Sequence, residues 1–425
     1  MFDSTADALG RDDFCSLAPI GWLHHKMQDA FFLVVGTRSC QGFLQTALGV
    51  MIFAQPRFAT ALLDEDDLSG RDTLTALLPI VQSVVDEHRP AAIVLGSTCT
   101  PEILKMNVGG CAPALEAASG VRVYPARLDG FDASYTQGED HVLAAMIARA
   151  PEPTEPNLVV LGCLSALEEA EIRLACEGMG VPTPGFLPSE SALALPPIGP
   201  QTVLIPVHPY LADACAYAAR ERGARVPPVV FPYGPDGTRA FYEGIAAAFG
   251  RAASFADRET AAWAACDREL AALRGRSVAF CSDALLELPL ARTLRAAGVN
   301  VPFVATPRVY RKFHARESEL LAGVDVLEAP DRYETFARLT SCDPDLVVAN
   351  LNVANELEGM GFAVKWSTEL SFQPIRGFAG APALFGLFAS ALRRHQALAR
   401  TTGAVGSAAN PITLDFFRTP VRSAV

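Results

Sequence analysis

Short apolar runs recur along the chain and alternate with longer stretches in which apolar residues follow a helical spacing. In the first part of the chain, strand-like runs cover 31–35, 91–95 and 121–124, and helical stretches cover 41–52 and 73–87. A short continuous apolar run is typical of a strand that is buried on both faces, as in parallel sheets. The alternation therefore predicts βαβ units with helices on both faces of each sheet.

The same alternation continues through two further regions of the chain. One begins after the proline-rich segment 151–156, and the other follows a helical stretch at 258–273. These regions carry a predicted helix at 211–220 and predicted strands at 158–161, 203–206, 278–281, 301–304, 324–327 and 346–349. We therefore predict an α/β fold of three Rossmann-like units with parallel sheets, which occupy residues 1–152, 153–270 and 271–425, the last with C-terminal helices.

Length and composition limit the class of protein. A chain of 425 residues exceeds one ordinary core, which favours division into several units. The longest apolar run near the end, 383–392, is only about half as long as a membrane span. The net charge of −12 argues against a general nucleic-acid binder, which carries a basic patch. We expect a cytoplasmic protein that neither spans a membrane nor binds nucleic acid.

Cysteines are the most informative of the chemically active residues. Cys40 follows the apolar run 31–35 and a glycine turn, and Cys99 follows the run 91–95 in the same way. Because the carboxyl ends of parallel strands meet at one edge of a sheet, we expect these two thiols to converge. Cys15 adds a third thiol from a segment whose proline and glycine indicate a loop. Convergent thiolates suggest a metal site whose fourth ligand comes from elsewhere in the chain or from a partner subunit.

The same cysteines also have a structural explanation, since free cysteine is often buried as a small apolar side chain. No C-x-x-C pair is present, which excludes compact ferredoxin and zinc-ribbon sites. Cys163 follows the run 158–161 in a similar way and Cys111 follows two glycines, so position alone does not separate them from the candidates. Ten cysteines without a signal peptide indicate a reducing cytosol rather than a disulfide framework.

Common nucleotide-binding motifs are missing from the sequence. Neither a G-x-x-x-x-G-K-[ST] loop nor a G-x-G-x-x-G turn after a strand occurs. The zinc-protease motif H-E-x-x-H and the hydrolase motif G-x-S-x-G are missing as well. If ATP or NADH drives the chemistry, we therefore expect another protein to bind it.

The segments around these cysteines carry a family resemblance. The block 21–40, which continues through 48–54 and 56–59, and the block 96–103 closely resemble the N subunits of light-independent (dark-operative) protochlorophyllide reductases. The three-unit organisation agrees with that family over nearly the whole chain. The resemblance implies a nitrogenase MoFe-protein-like architecture. It also implies an ATP-dependent enzyme of bacteriochlorophyll synthesis that reduces the ring D double bond of protochlorophyllide to give chlorophyllide a.

The resemblance implies partners and a cofactor too. N and B subunits would form an N2B2 heterotetramer with one [4Fe-4S] cluster per N–B pair, and a separate L protein dimer would bind ATP-Mg and deliver electrons. Cys15, Cys40 and Cys99 match the three cysteine ligands of the family, whose fourth ligand is an aspartate of the B subunit. Cys111 stays a minor alternative for the third ligand, because the interval from Cys40 to Cys99 is slightly shorter than in relatives.

A flat macrocycle requires a broad apolar pocket. Phe14 lies beside a candidate ligand, and Trp366, Phe372 and Phe378 resemble the substrate-contacting region of the family. Aromatic side chains bury large areas, so a core position is the simpler reading for each of them. In the family, the proton donors are an aspartate of the B subunit and a propionate of the substrate, so no catalytic acid is assigned in this chain.

Three other functions stay open at the level of the sequence. The related subunit of chlorophyllide a reductase has the same architecture but reduces ring B, and the block 21–40 argues against it. A nitrogenase-like scaffold for cofactor assembly would hold a transferable cluster without reducing pigment. A cluster-free α/β binding module would hold no iron at all.

Overall fold

A computed structural model describes residues 14–49 and 56–403 of the chain. Within these residues the backbone forms twelve strands, which are short and largely buried. The strands are Ala30–Gly36 (β1), Phe58–Leu62 (β2), Ala92–Ser97 (β3), Arg122–Arg127 (β4), Asn157–Leu161 (β5), Gly185–Leu187 (β6), Thr202–Pro206 (β7), Val278–Cys281 (β8), Phe303–Thr306 (β9), Asp325–Glu328 (β10), Leu346–Ala349 (β11) and Val364–Trp366 (β12).

Helices connect nearly all of these strands. The helices are Pro19–Lys26 (α1), Arg38–Gly49 (α2), Glu65–Leu68 (α3), Thr73–His88 (α4), Cys99–Ile103 (α5), Ala112–Ser119 (α6), Gln137–Ile147 (α7), Ala166–Met179 (α8), Ala212–Glu221 (α9), Gly234–Ala248 (α10), Ala256–Ala265 (α11), Asp267–Leu270 (α12), Glu287–Ala296 (α13), Ala315–Leu320 (α14), Arg332–Cys342 (α15), Leu351–Gly359 (α16), Ser367–Ser371 (α17) and Gly377–Gly403 (α18). A 3-10 turn, Gly109–Cys111, precedes α6.

The strands form three sheets in which every pair of neighbours is parallel. The first sheet has the order β2-β1-β3-β4, the second β6-β5-β7 and the third β10-β9-β8-β11-β12. One sheet falls in each of the predicted ranges 1–152, 153–270 and 271–425. The predicted fold of three parallel α/β units is therefore confirmed, whereas the exact domain boundaries stay predictions.

The side chains of strand β1 contribute to two separate hydrophobic cores. All seven residues of β1 are buried, as expected for a strand covered on both faces. Phe32 and Val34 belong to the large core that also holds the N-terminal segment, whereas Phe31, Leu33 and Val35 face a separate core beneath α4 and α6. Side chains alternate along a strand, so these two cores lie on opposite faces of the sheet.

Three strands had no counterpart among the sequence predictions, and each of them lies at the edge of its sheet. These strands are β2, β6 and β12, and the last two are only three residues long. An edge strand pairs on one side only, so its apolar pattern is short and weak. The predicted strand at 301–304 is found two residues later, and the predicted helix at 258–273 is divided into α11 and α12. Residues 50–52 of the predicted helix 41–52 lie outside the described residues.

Two carboxylates, Asp29, which is partly exposed, and Asp140, which is buried, connect the first unit to the second. Asp29 accepts hydrogen bonds from the Ser191 hydroxyl at 2.6 Å and the Ala192 N–H at 2.7 Å. Asp140, on α7, accepts the first free N–H groups of α9, from Asp213 at 2.9 Å and Ala214 at 2.8 Å.

In the part of the chain that the structure describes, no helix combines the length and hydrophobicity needed to cross a bilayer.

Candidate functional site

Two of the three candidate cysteines leave the same edge of the first sheet. Cys40 lies in the first turn of α2, just after β1, and Cys99 begins α5, just after β3. The strands β1 and β3 are paired in parallel, so their carboxyl ends lie side by side. Cys15 precedes α1 and packs, like Cys40, against the large core. The arrangement predicted from strand ends is therefore present for Cys40 and Cys99.

Cys15 lies within the electrostatic range of the other two thiols. Burial raises the pKa of Cys15 to about 11, the Leu17 N–H opposes that shift, and the charges of Cys40 and Cys99 add to it. Charges act on a pKa in this way only over short distances. Cys99 is the most exposed of the three, and its sulfur accepts the Gly130 N–H at 3.2 Å.

Gly36 makes room between two of these cysteines. A Cβ atom at this position would lie 2.7 Å from Thr98 Oγ1 and 3.0 Å from Cys40 Sγ. Thr98 is itself held in place, because its hydroxyl donates to the Val35 carbonyl at 2.9 Å. Any residue larger than glycine at position 36 would therefore displace either the Cys40 sulfur or Thr98, which precedes Cys99.

We expect Gly36→Ala to disturb the thiols while leaving the sheet folded. The added methyl group has to push Thr98 or Cys40 aside, and such overpacking costs about 1–3 kcal/mol. Iron content of the anaerobically purified protein should fall, and alkylation of Cys40 in the iron-free protein should change in rate. The matched control is Gly42→Ala in α2, where a Cβ meets nothing within 4 Å. Equal iron content in both variants would contradict the proposed crowding.

Metal groups of different kinds require different spacings between their thiol ligands. Among the described residues, no three His, Cys, Asp or Glu side chains are close enough to hold one metal ion. In a [4Fe-4S] cluster each thiolate binds a different iron, so the ligands stand further apart than around one ion. Three neighbouring thiols, one of them exposed, fit such a group with a fourth ligand contributed from outside.

The two alternative cysteines lie elsewhere. Cys111 belongs to the core on the opposite face of the first sheet, and its thiol donates to the Asn107 carbonyl at 3.3 Å. Cys163 is a partly exposed residue whose thiol contacts the Trp22 carbonyl at 3.7 Å, and burial of its sulfur raises its pKa well above the usual range. Neither thiol is among the charges that act on Cys15.

The candidate aromatic residues divide into two groups. The Phe14 ring packs edge-on against Phe43 and Tyr135, at centroid distances of 5.4 and 5.5 Å. Phe372 is partly exposed and packs edge-on against Trp22 at 5.0 Å.

Trp366 ends β12, and its indole N–H is buried without a hydrogen-bond partner in the described residues. Such a donor is uncommon, because leaving it unpaired costs about 1–3 kcal/mol. Phe378 is only 8% exposed and lies among Tyr242, Phe255 and the guanidinium of Arg258. Phe378 therefore presents no free ring face to a ligand in this structure.

Asp283, between β8 and α13, connects the Phe14 and Trp366 regions and was not singled out in the sequence. Its carboxylate accepts the Phe14 N–H at 2.8 Å and the Ser367 hydroxyl at 2.9 Å. Phe14 precedes Cys15, and Ser367 follows Trp366. A lone aspartate after a strand has no recognisable pattern, so no sequence signal could have found this contact.

Glu139 is a second buried carboxylate that sequence reasoning missed. It accepts the Trp22 indole N–H at 2.6 Å, the Tyr210 hydroxyl at 2.9 Å and the Cys163 N–H at 2.7 Å. Burial raises the pKa of Glu139, and these donors oppose the shift. The carboxylate thereby holds Trp22 in the position where it packs against Phe372. Its place in the acidic first turn of a helix resembles an ordinary helix-end carboxylate, so nothing in the sequence indicated this role.

Comparisons with known proteins agree with this geometry. The family described as nitrogenase component 1 type oxidoreductase matches residues 15–392. The light-independent protochlorophyllide reductase subunit N of Roseiflexus sp. (strain RS-1) is 45% identical over 388 residues, which cover 91% of this chain and 92% of that protein. The subunit N of Chlorobium phaeobacteroides (strain DSM 266 / SMG 266 / 2430) is 42% identical over 387 residues, with 91% of each chain covered.

A solved structure provides a separate comparison at the level of the fold. Nitrogenase Cp1 at pH 6.5 superposes with a TM-score of 0.71 at 17% sequence identity, covering 93% of this chain and 97% of that one. At such low identity the likeness concerns the fold alone. It confirms the nitrogenase-like architecture that the resemblance implied.

Proposed function

The chain belongs to the nitrogenase component 1 type oxidoreductases, and within them to the N subunits of light-independent protochlorophyllide reductases, and from this premise we propose how its residues act. The proposed reaction adds two electrons and two protons across the ring D double bond of protochlorophyllide, which gives chlorophyllide a. The observation that carries this proposal is that Cys40 and Cys99 follow the paired strands β1 and β3 at one edge of the first sheet, with Cys15 close enough for their charges to act on it.

Cys15, Cys40 and Cys99 are the proposed ligands of one [4Fe-4S] cluster per N–B pair. Such a cluster usually has four thiolate ligands, and the proposed fourth ligand is an aspartate of the B subunit. An aspartate oxygen is a harder donor than a thiolate sulfur, so it changes the redox potential. When bound, the cluster supplies single electrons to the pigment. The exposed position of Cys99 supports a site that a partner completes.

The proposed partners follow from what the chain lacks as well as from its relatives. The sequence has no phosphate-binding loop of the G-x-x-x-x-G-K-[ST] type. We therefore assign ATP-Mg to a separate L protein dimer, which delivers electrons to an N2B2 heterotetramer. This chain then contributes ligands and pigment contacts and takes no part in ATP hydrolysis.

Phe14, Trp366 and Phe372 are the proposed walls of the pigment pocket. Their rings offer apolar faces to a flat macrocycle and exclude water from it. The unpaired indole N–H of Trp366 supports a nearby ligand, because an oxygen of the pigment periphery could accept this hydrogen bond. Phe378 supports the pocket from the core and does not line it. No proton donor is assigned in this chain.

Reconstitution in the dark tests the proposed function. The chain is co-expressed with a B subunit without oxygen, and reduced L protein, ATP-Mg and protochlorophyllide are added while absorption is followed. We expect chlorophyllide to form only when L protein and ATP are both present. Omitting either component is the matched control.

The competing functions predict different results in the same assay. Turnover of chlorophyllide a instead of protochlorophyllide would indicate the ring B enzyme. Transfer of the cluster to another protein without pigment reduction would indicate an assembly scaffold. A complex that holds no iron would indicate a binding module and would refute the proposal.

A further inference from the structure

One buried carboxylate joins two segments that the proposed function assigns to different tasks. Asp283 is 1% exposed, and each of its oxygens accepts a hydrogen bond from a different segment. Oδ2 accepts the Phe14 N–H at 2.8 Å, and Oδ1 accepts the Ser367 hydroxyl at 2.9 Å. Two acceptor contacts of this kind suit an ionised carboxylate. The proposed ligand segment and the proposed pigment wall are thus tied to one side chain.

The loop that carries Asp283 is itself held in place by the first unit. The Ser134 hydroxyl donates to the Asp283 carbonyl at 2.5 Å, and the Thr136 hydroxyl donates to the Ala284 carbonyl at 3.1 Å. Between them, Tyr135 packs against Phe14, and its hydroxyl contacts the Ser371 hydroxyl at 2.7 Å. The carboxylate is therefore fixed at its backbone as well as at its oxygens.

We infer that Asp283 is a positioning residue, which sets the Cys15 segment relative to the Trp366 wall and so controls pigment affinity. The inference rests on the proposed function and adds a residue that touches neither pigment nor iron. Asp283 acts on the pigment wall through its hydrogen bond with Ser367, and on the ligand segment through its hydrogen bond with Phe14.

Ser367→Ala is the mildest test, since it removes one hydroxyl from the Asp283 carboxylate. Protochlorophyllide is titrated into the N–B complex in the dark without reductant, and its absorption reports binding. We expect about fivefold weaker binding, as for the loss of one net hydrogen bond, and a raised KM with little change in kcat. Ser390→Ala is the matched control, because that exposed hydroxyl donates to the Leu387 carbonyl of its own helix at 3.0 Å. Binding unchanged by Ser367→Ala would overturn the inference.

Two substitutions at Asp283 separate position from charge. In Asp283→Asn the amide oxygen can accept the Phe14 N–H while the amide nitrogen donates to the Ser367 hydroxyl, so we expect pigment affinity near that of the wild type. Asp283→Ala loses both contacts, and we expect weaker pigment binding than in Ser367→Ala. If the asparagine variant binds pigment as weakly as the alanine variant, charge rather than position is required and the inference fails.

Alkylation of Cys15 provides a readout that needs neither iron nor turnover. In the iron-free N–B complex, iodoacetamide labelling of the Cys15 peptide should be faster in Asp283→Ala than in the wild type or in Asp283→Asn. Equal labelling in all three would contradict a link between Asp283 and the ligand segment. If the wild-type complex binds no pigment, the proposed function fails, whereas the labelling still tests the link. If Asp283→Ala does not fold, Ser367→Ala decides.

Discussion

We expect serine variants of Cys15, Cys40 and Cys99 each to lower pigment reduction in the dark by at least about 100-fold. Loss of residues that merely support a metal ligand already costs about 10- to 100-fold, so loss of a ligand costs more. The hydroxyl of serine is a much weaker ligand for iron than a thiolate. The measurements are iron and sulfide per N–B complex and chlorophyllide formed with L protein and ATP.

Two other cysteines provide matched controls for these variants. Cys111→Ser tests the alternative ligand, and we expect it to keep its iron because that thiol lies in the core on the opposite face of the sheet. Cys342→Ser changes a partly buried thiol that contacts the Leu339 carbonyl of its own helix in the third unit, so its iron content should match that of the wild type. Loss of iron in Cys111→Ser combined with normal iron in Cys99→Ser would reverse the assignment of the third ligand.

Arg292→Met is expected to cause the largest loss of stability. Arg292 is 4% exposed, and its Nε lies 2.7 Å from Glu317 Oε2, a carboxylate with no exposed surface. The guanidinium also pairs with Asp236 and donates to the Tyr233 carbonyl at 2.9 Å, which joins α10 to α13 and α14. Removing it leaves Glu317 buried without its charged partner, which costs about 3–5 kcal/mol. Pulse proteolysis of the N–B complex in urea measures this loss.

The pH dependence of that loss is an internal check. Burial raises the pKa of Glu317, and Arg292 opposes the shift, so the substitution moves the pKa further above its usual 4.5. Above the raised pKa of Glu317 in the wild type, only the folded variant still retains a proton that the unfolded chain releases, so the loss of stability caused by the substitution grows as the pH rises beyond that wild-type pKa. The control is Arg316→Met, whose exposed pair with Glu319 contributes below about 1 kcal/mol. Similar losses in both variants would show that burial of the pair is not the cause.

Residues of the candidate site could be predicted only where their position relative to a strand or loop is visible in the local sequence. Cys40 and Cys99 were selected because a cysteine after a strand and a glycine turn leaves the sheet at a known edge, and Cys15 because its loop segment offers a third thiol before the first strand. Asp283 and Glu139 were not found. A buried carboxylate is defined by the donors that surround it, and two of those donors, Phe14 for Asp283 and Trp22 for Glu139, are more than 100 positions away in sequence.

For the aromatic candidates, too, the local sequence does not show which role each residue has. Phe14, Trp366, Phe372 and Phe378 were selected together, because a sequence does not distinguish a ring that lines a pocket from one that fills a core. In the structure Phe378 is a core residue, whereas Trp366 has an unpaired donor. Packing between units decides between the two roles, and packing is a long-range property.

The sequence by itself determined the three parallel α/β units and the family of this protein. Strands buried on both faces need continuous apolar runs, so the local sequence was enough to predict β1, β3, β5, β8 and β11. The edge strands β2, β6 and β12, the face of the sheet on which Cys111 lies and the joining of Phe14 to Ser367 through Asp283 were decided only by the tertiary structure. Each of these depends on which distant segment becomes a neighbour, and local hydrophobic patterns do not specify such long-range contacts.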